Sequence, residues 1–482
     1  MPQPFNFPTR LKSVSLILPK HFCTEVKNTM SKIIVSIALL FAFSTALFAQ
    51  SDAALSQVTL KDKTSRAANG KLPTLTAAEH LYRAEVYMAN RHFPEAREHW
   101  QKIFDVYSTE TGMAKALMGT GRAYMWERGY AQAIVFFDRA VSGYADTKEG
   151  RESLAFKGAC LVRLGKNAEA ANTYQLYTTM FPTGERIETS HLNIIDALRE
   201  AKKYDEANVW VDKTRTRFSG MPTATNALQA RVRMEISRQS WAKAVEAADA
   251  LRLTNNFRSS MTSLDETNYL KALALEKLGK KAEAIAVYSS IPVNSYYGGL
   301  ATDKLNSNKI KRTGSVSNYN AAEYPVLYRA ELLKYAKTKN IDSRFVLAIM
   351  KQESSFRANA KSPSAARGLL QLVYDTAIKY NRQAGFSDMQ ADDLYQPPVN
   401  IAIGSQYLAD LKNQFGGLYE AIAASYNGGE DNAARWLNRS NPKDAGVFAS
   451  EVGFAETKNY VFKVMNNYRV YRELYTEDLI KR

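Results

Sequence analysis

The sequence predicts an all-α fold that is built from two unlike helical parts. A short signature recurs at nearly constant spacing through residues 50–305, whereas residues 321–482 show helical periodicity without that repeat. A polar, turn-rich segment at residues 306–320 separates the two parts. Almost no segment alternates apolar and polar residues in the way a half-buried strand does. These observations favour an N-terminal array of helical hairpins, a linker and a C-terminal α domain.

The first 49 residues carry the features of an export signal. An uncharged apolar run from Ile33 to Leu47 follows Lys32 and precedes small residues, which is the pattern of a signal peptide. We assign residues 30–49 to this signal, and we predict that residues 1–29 precede the native start at Met30. The signal predicts a periplasmic protein with no stable membrane insertion after cleavage. An uncleaved membrane anchor is the alternative interpretation.

Six similar segments mark the repeats. Their final alanines fall at positions 96, 133, 170, 207, 244 and 284, in steps of 37, 37, 37, 37 and 40 residues. We predict that each unit is a helical hairpin, with a first helix such as Met113–Trp126 and a second helix that begins at the signature. Alanine at this position lets the two helices approach closely. The units resemble tetratricopeptide repeats, with a longer period, and they predict a stacked α-superhelix that binds cell-envelope proteins.

Charge and cysteine content narrow the class of partner. The net charge is +16, and removal of residues 1–49 takes away five basic residues and one acidic residue, which leaves +12. This charge favours an anionic partner. The absence of a dominant basic block and of a helix-turn-helix, RRM or zinc-finger pattern argues against nucleic acid. Cys23 and Cys160 exclude a disulfide framework, and Cys160 is predicted to be a core residue.

The C-terminal part is restricted to carboxylate chemistry. All five histidines precede residue 192, so residues 321–482 contain neither a Ser-His or Cys-His nucleophile pair nor a histidine zinc site. No phosphate-binding glycine loop is present. Within this part, Val346, Ile349, Met350 and Glu353 follow one helical stripe. Burial on that stripe would raise the pKa of Glu353, as a general acid requires. On periodicity alone, a solvated glutamate at a helix end remains an open alternative.

The sequence around and after Glu353 carries an ordered series of motifs. In this order, the motifs resemble those of the soluble lytic transglycosylase family, which has a lysozyme-like catalytic fold, and the resemblance runs from Tyr324 to the C-terminus. The larger soluble members have a similar organisation, with an export signal and a long α-superhelix before the catalytic domain. The motifs lie at Lys351–Phe356, Ser362-Pro363, Gly368–Leu372, Asn400–Gly404, Tyr407-Leu408, Ala424–Gly429 and Glu456–Val461.

The resemblance implies a peptidoglycan lytic transglycosylase. Such an enzyme cleaves the β-1,4 bond between N-acetylmuramic acid and N-acetylglucosamine and forms a 1,6-anhydromuramic end. Glu353 matches the single residue that acts as acid and then as base, and no metal or cofactor is implied. The residues that match substrate-binding positions on the glycan strand are Ser362, Gln371, Tyr426, Asn427, Glu456 and Tyr460.

The chain departs from the family pattern at three places. Leu370 replaces a usual methionine, Val373-Tyr374 replaces Met-Pro, and Ala365 replaces a frequent glycine. None of these changes removes a reacting group. Two further interpretations apply to the motifs. Gly368 and Gly428-Gly429 can be explained as turn glycines with positive φ, and Leu369 and Leu370 are better explained as core residues than as groove residues.

Two other functions remain open at this point. The first is a lysozyme-type hydrolase of the same bond, in which a second acid holds the attacking water. The second is a non-catalytic scaffold that binds the cell wall. The candidates for the second acid are Asp375, Asp388, Asp392 and Asp393.

Overall fold

The computed structural model describes residues 53–107, 112–254, 256–310, 312, 319–362 and 364–482. Within these residues the regular structure is helical, with only isolated β-bridges beside it. The described chain forms two compact units, which divide between Lys102 and Ile103. The predicted signal peptide and the segment before Met30 lie outside the described residues, as does Cys23. The all-α fold class is confirmed.

The first unit contains helix α1 at residues 53–65, helix α2 at Ala77–Ala89 and the start of helix α3 at Phe93–Val106. A buried polar chain connects these helices. The amide of Leu75 donates to His80 Nε2 at 3.1 Å, and Nδ1 of His80 lies 2.9 Å from Nδ1 of His99. Nε2 of His99 lies 2.9 Å from the carboxylate of Asp62. Because Leu75 supplies a hydrogen to Nε2 of His80, the neutral ring carries its own proton on Nδ1.

The second unit opens with the remaining helical hairpins. Their second helices begin at the signature, as predicted, and the signature alanines from position 133 to position 284 are all buried. Burial of aromatic side chains at the same seam requires small residues opposite: a Cβ on Gly158 would lie 2.6 Å from the Tyr174 ring. The helices are α4 (Met113–Trp126), α5 (Tyr130–Tyr144), α6 (Lys148–Arg163), α7 (Asn167–Met180), α8 (Ile187–Glu200), α9 (Tyr204–Arg217), α10 (Pro222–Ser237), α11 (Trp241–Leu253), α12 (Leu264–Lys277), α13 (Lys281–Ser290) and α14 (Tyr296–Ser307).

The rest of the second unit is a lysozyme-like α domain. Helix α14 ends at Ser307, inside the predicted linker, of which residues 311 and 313–318 lie outside the described part of the chain. Helix α16 runs through the core of the α domain, since Phe345 to Met350 are completely buried. The helices are α15 (Arg329–Tyr335), α16 (Ser343–Glu353), α17 (Tyr374–Ala384), α18 (Pro397–Gln414), α19 (Tyr419–Gly428), α20 (Glu430–Arg439), α21 (Ala445–Glu451) and α22 (Ala455–Leu474).

Buried polar contacts fix this α domain to the hairpins. The ammonium group of Lys458 on α22 pairs with the carboxylate of Glu266 on α12 at 2.7 Å and donates to the carbonyl of Met261 at 2.7 Å. Tyr296 of α14 donates its hydroxyl to the buried carboxyl of Glu420 at 3.2 Å. Because buried charges are tolerated only when they are paired, these contacts hold α22 in one position. No helix among the described residues has the length and apolar character needed to cross a membrane.

Candidate active site

Glu353 is the last residue of α16, and the structure places it at the end of the predicted apolar stripe. Val346, Ile349 and Met350 on that stripe are completely buried. The hydroxyl of Tyr460 donates to Oε1 of Glu353 at 2.6 Å. Burial raises the pKa of Glu353 to about 7, while the hydrogen bond from Tyr460 acts in the opposite direction. The carboxyl group is therefore divided between its acidic and its ionised form near neutral pH.

Two tyrosines lie close to this carboxyl. Tyr460 comes from α22, which packs against α16, and Tyr426 comes from α19. Burial raises the pKa of both phenols, and the negative charge of Glu353 raises them further, so both hydroxyls remain protonated donors. Tyr426 donates to the carbonyl of Leu370 at 2.6 Å. The structure thus brings together Glu353, Tyr426 and Tyr460, which the sequence had singled out.

A row of aromatic rings continues from Tyr426. Its ring centroid lies 5.4 Å from that of Tyr407 on α18, and the Tyr407 centroid lies 5.2 Å from that of Tyr380 on α17. Sequence reasoning gave no role to Tyr407 or Tyr380, although Tyr407 stands within a quoted motif. Three tyrosines from three helices therefore form a continuous row of packed rings that begins at Tyr426, close to the candidate acid.

Ser362 and Gln371 lie on the loop that faces the end of α16. The hydroxyl oxygen of Ser362 accepts from the amide of Ala366 at 3.1 Å. The side-chain amide of Gln371 donates to the carbonyls of Ala360 and Gly368, at 3.0 and 2.8 Å. Both side chains thus stabilise the conformation of their own loop. Their predicted contact with a glycan stays a prediction.

Asn400 holds this loop in place, and sequence reasoning missed its role. Its fully buried side chain accepts from the amide of Leu370 at 2.9 Å and donates to the carbonyls of Arg367 and Leu394 at 3.0 and 2.8 Å. Gly368 has φ +77°, and a Cβ there would lie 2.1 Å from the carbonyl oxygen of Leu394. A polar residue in the otherwise apolar start of α18 was the available signal.

Asn427 is hydrogen-bonded next to the candidate site, whereas Glu456 is exposed. Asn427 follows Tyr426, and its Oδ1 accepts from the hydroxyl of Thr457 at 2.7 Å. Glu456 lies exposed in the first turn of α22, without a hydrogen bond or ion pair to any described residue. The structure therefore does not bring Glu456 to Glu353. Its predicted part in substrate binding has no contact to support it.

The turn-glycine interpretation is correct for Gly368 and Gly429 and wrong for Gly428. Gly429 has φ +87°, whereas Gly428 is the last residue of α19 and has no positive φ. Close packing explains Gly428, since a Cβ there would lie 2.9 Å from the Thr457 hydroxyl oxygen. Leu369 and Leu370 are completely buried, in agreement with the core interpretation.

None of the four candidates for a second acid shifts the pKa of Glu353. Burial raises the pKa of Glu353 and the hydrogen bond from Tyr460 lowers it, and no carboxylate among the described residues shifts it further. Asp375 and Asp388 are exposed. Asp392 pairs with Arg367 at 3.4 Å, and Asp393 accepts from the amide of Gln390 at 2.7 Å. In the described part of the chain, no cluster of histidine, cysteine and acidic side chains is arranged to hold a metal ion.

Comparison with known proteins places Glu353 and the Tyr426-Asn427 pair within the range of a family model, whereas Tyr460 lies after it. Residues 332–448 match the family model described as Transglycosylase SLT domain. The chain is similar to the soluble lytic murein transglycosylase of Salmonella typhimurium, with 31% identity over 161 residues. That similarity covers 33% of this chain and 25% of the relative, so the matched region spans a quarter of the relative's length. The resemblance expected from the motifs is confirmed.

Solved structures show the same fold over more of the chain. An inactive mutant of the lytic transglycosylase Slt from Pseudomonas aeruginosa superimposes with a TM-score of 0.52 at 18% identity, covering 82% of this chain and 73% of that one. A 70-kDa soluble lytic transglycosylase in complex with bulgecin A gives a TM-score of 0.50 at 15% identity, covering 95% and 97%. At these identities the agreement concerns the fold alone.

Proposed function

Residues 332–448 form a transglycosylase SLT domain, and on this basis we propose that the protein is a peptidoglycan lytic transglycosylase in which Glu353 is the catalytic acid and base. The observation that carries the proposal is the half-buried carboxyl of Glu353 at the end of a buried helix, which has a pKa of about 7 and accepts a hydrogen bond from Tyr460. We further propose that residues 321–482 form the catalytic domain and that the hairpins of residues 50–305 support it.

In the first step, protonated Glu353 donates to the glycosidic oxygen between N-acetylmuramic acid and N-acetylglucosamine. Tyr460 donates to Oε1, so the proton of the neutral carboxyl is carried on Oε2 and is transferred from there. The bond from C1 of the muramic sugar to the glycosidic oxygen breaks, and the substrate's own N-acetyl oxygen stabilises the positive charge at C1. Tyr460 stabilises the carboxylate that remains.

In the second step, the ionised Glu353 removes the proton from the C6 hydroxyl of the muramic sugar. The hydroxyl oxygen attacks C1 and closes the 1,6-anhydro ring, so no water is consumed. One residue then serves as acid and base in turn, which requires a pKa near the working pH. The lack of a carboxylate contribution to the pKa of Glu353 supports this one-acid scheme over a hydrolase that uses two acids.

The remaining predicted residues are assigned to binding. Tyr426, Asn427, Gln371 and Ser362 lie on the two segments next to Glu353, and we assign them to the glycan groove. Glu456 remains the least supported of these assignments because it makes no contact with the others among the described residues.

Product analysis on purified peptidoglycan tests the proposal. Mass spectrometry should find 1,6-anhydromuramic ends with wild-type protein and none with Glu353→Gln. Glu420→Gln is a matched control, since Glu420 is buried, also has a pKa of about 7 and also accepts from a tyrosine hydroxyl, that of Tyr296. It should retain product formation. Reducing muramic ends would instead identify a hydrolase, and binding without cleavage by the wild type would identify a scaffold.

We also propose that residues 30–49 direct export to the periplasm, where the enzyme meets its substrate. The apolar run and the small residues after it support this assignment. A fusion of residues 30–60 to a reporter that is active only after export tests it. An Arg placed within the run should abolish reporter activity, and an unaffected reporter would contradict the assignment.

A further inference from the structure

Four arginine side chains share three carboxylates where the hairpins meet the lysozyme-like domain. Glu451, completely buried on α21, pairs with Arg199 at 2.7 Å, Arg233 at 3.2 Å and Arg439 at 3.3 Å. The other two carboxylates are Asp196 and Glu200 of α8, and the fourth arginine is Arg435 of α20. The cluster therefore carries one surplus positive charge, in a location that is buried at Glu451 and half-buried at Arg435, where unpaired charge is costly.

The surplus charge is concentrated at Arg435. Its Nε is buried and makes no hydrogen bond, and it lies 3.8 Å from Glu200, beyond hydrogen-bonding distance. Arg163 of α6 lies close enough to repel it. Burial and the neighbouring cations Arg439 and Arg163 lower the pKa of Arg435 to about 10. No ion pair with a described carboxylate neutralises Arg163, which donates instead to the side-chain oxygen of Asn432 at 2.5 Å.

Arg163 and Arg435 line one cavity of about 430 Å³, which lies between α6 and α7 on one side and α20 on the other. Two acidic residues also face it. Glu200 is shared with Arg439, and Asp431 pairs with Arg128 at 3.3 Å. The neutral part of the lining contains hydrogen-bonding groups, namely those of Tyr130, Asn167 and Asn438. A cavity of this size holds a small ligand or a short peptide segment.

We propose that this cavity binds a carboxylate of the peptide that peptidoglycan strands carry. The inference rests on the proposed function for the source of the ligand. A carboxylate supplies negative charge to Arg435 and Arg163, which lack a full counterion, and its two oxygens match the planar donor array of a guanidinium group. A phosphate dianion would place more negative charge beside Glu200 and Asp431 than a carboxylate does, so these two acidic residues favour the carboxylate.

The cavity is connected to the candidate active site through α20. Asn432 accepts from Arg163 and donates to the carbonyl of Gly428 at 2.7 Å. Gly428 directly follows the Tyr426-Asn427 pair on α19. A peptide attached to a glycan beside Tyr426 and Asn427 would therefore run along α20 towards the cavity. The hairpins would thereby contact the substrate directly through Arg163.

Steady-state kinetics on two substrates tests the proposal: glycan strands that carry peptides, and the same strands after an amidase has removed them. Arg163→Gln and Arg435→Gln should each raise KM about tenfold on peptide-bearing strands, since each loses a charge-assisted hydrogen bond. Both variants should leave kcat on those strands and KM on bare strands unchanged. Arg231→Gln is the control, because Arg231 is a half-buried arginine on α10 that is fully paired with Asp212 and Asn208.

Equal losses on both substrates, or unchanged KM on both, would overturn the proposal. Because Arg435→Gln removes a member of the ion-pair cluster, its melting temperature is measured alongside. Arg163 is outside that cluster, and its variant keeps the test valid if Arg435→Gln unfolds. Calorimetric titration of the Glu353→Gln protein with N-acetylmuramoyl-L-alanyl-D-glutamate separates this proposal from the catalytic one. If Arg163→Gln weakens binding of this ligand, the result supports a carboxylate site in the cavity, whichever products the reaction forms. Equal competition by inorganic phosphate would contradict a carboxylate site.

Discussion

Replacement of Tyr460 by phenylalanine gives the sharpest test of how the pKa of Glu353 is set. The hydroxyl of Tyr460 donates to Oε1 of Glu353 at 2.6 Å, and this bond stabilises the ionised carboxyl against burial. A hydrogen bond to a charged group contributes about 1.5–3 kcal/mol, and one pKa unit corresponds to about 1.4 kcal/mol. In Tyr460→Phe, the pKa of Glu353 should therefore rise from about 7 by about one to two units.

The sign of the effect on activity follows from the acid step. Glu353 must be protonated to donate to the glycosidic oxygen, so kcat/KM falls as the pH rises through its pKa. The alkaline limb of the pH profile should lie near 7 in the wild type. It should move upwards by about one to two units in Tyr460→Phe. The assay follows release of soluble fragments from purified peptidoglycan between pH 5 and about 10, the normal pKa of the tyrosines themselves.

Tyr426→Phe is the matched control for this experiment. Tyr426 also lies close to Glu353, but its hydroxyl donates to the carbonyl of Leu370 and not to the acid. Its removal should lower activity without moving the alkaline limb to the same extent. If the limb stayed in place in Tyr460→Phe, or moved equally in both variants, the hydrogen bond would not set the pKa of Glu353.

Three further predictions concern stability. Asn400→Ala should lower the free energy of unfolding by about 3 kcal/mol, because three backbone groups lose their hydrogen-bond partner. Denaturant unfolding measures this loss, and a loss below about 1 kcal/mol would contradict the prediction. Lys458→Met should cost about 3–5 kcal/mol, since Glu266 is left buried and unpaired, and the double variant with Glu266→Gln should melt at a higher temperature than the single one. Burial lowers the pKa of His80 to about 4, below the value of about 6.5 in the unfolded chain, so the first unit should lose stability as the pH falls from 6.5 towards 4. Hydrogen exchange of α2 should accelerate over this range, and His80→Gln should reduce the pH dependence.

The hairpins and the candidate acid could be predicted from the sequence because their signals are local. A buried alanine recurs wherever two helices cross closely, so its period is visible without a structure, as at Ala133 and Ala170. Glu353 was visible for a similar reason, since helical geometry alone places it on the stripe of Val346 and Met350.

The contacts that position the site could not be predicted in this way because they join residues far apart in sequence. Asn400 supports a loop about thirty residues before it, and Tyr460 reaches Glu353 across 107 positions. The local sequence does not predict which distant residue a polar side chain will bind. The same limit explains why Glu456 was predicted as a site residue from its motif although its side chain is exposed to solvent at the start of α22.

The shared salt bridges at the hairpin boundary restrict how this protein can be dissected. A fragment of residues 321–482 would keep Glu451 and Lys458 but would lose Arg199, Arg233 and Glu266, so the face that packs against the hairpins would lose most of its ion-pair partners. Such a fragment should be poorly soluble or inactive, even though it contains every candidate catalytic residue. We therefore expect that the smallest stable fragment with the region of residues 332–448 includes the helices that carry those three partners.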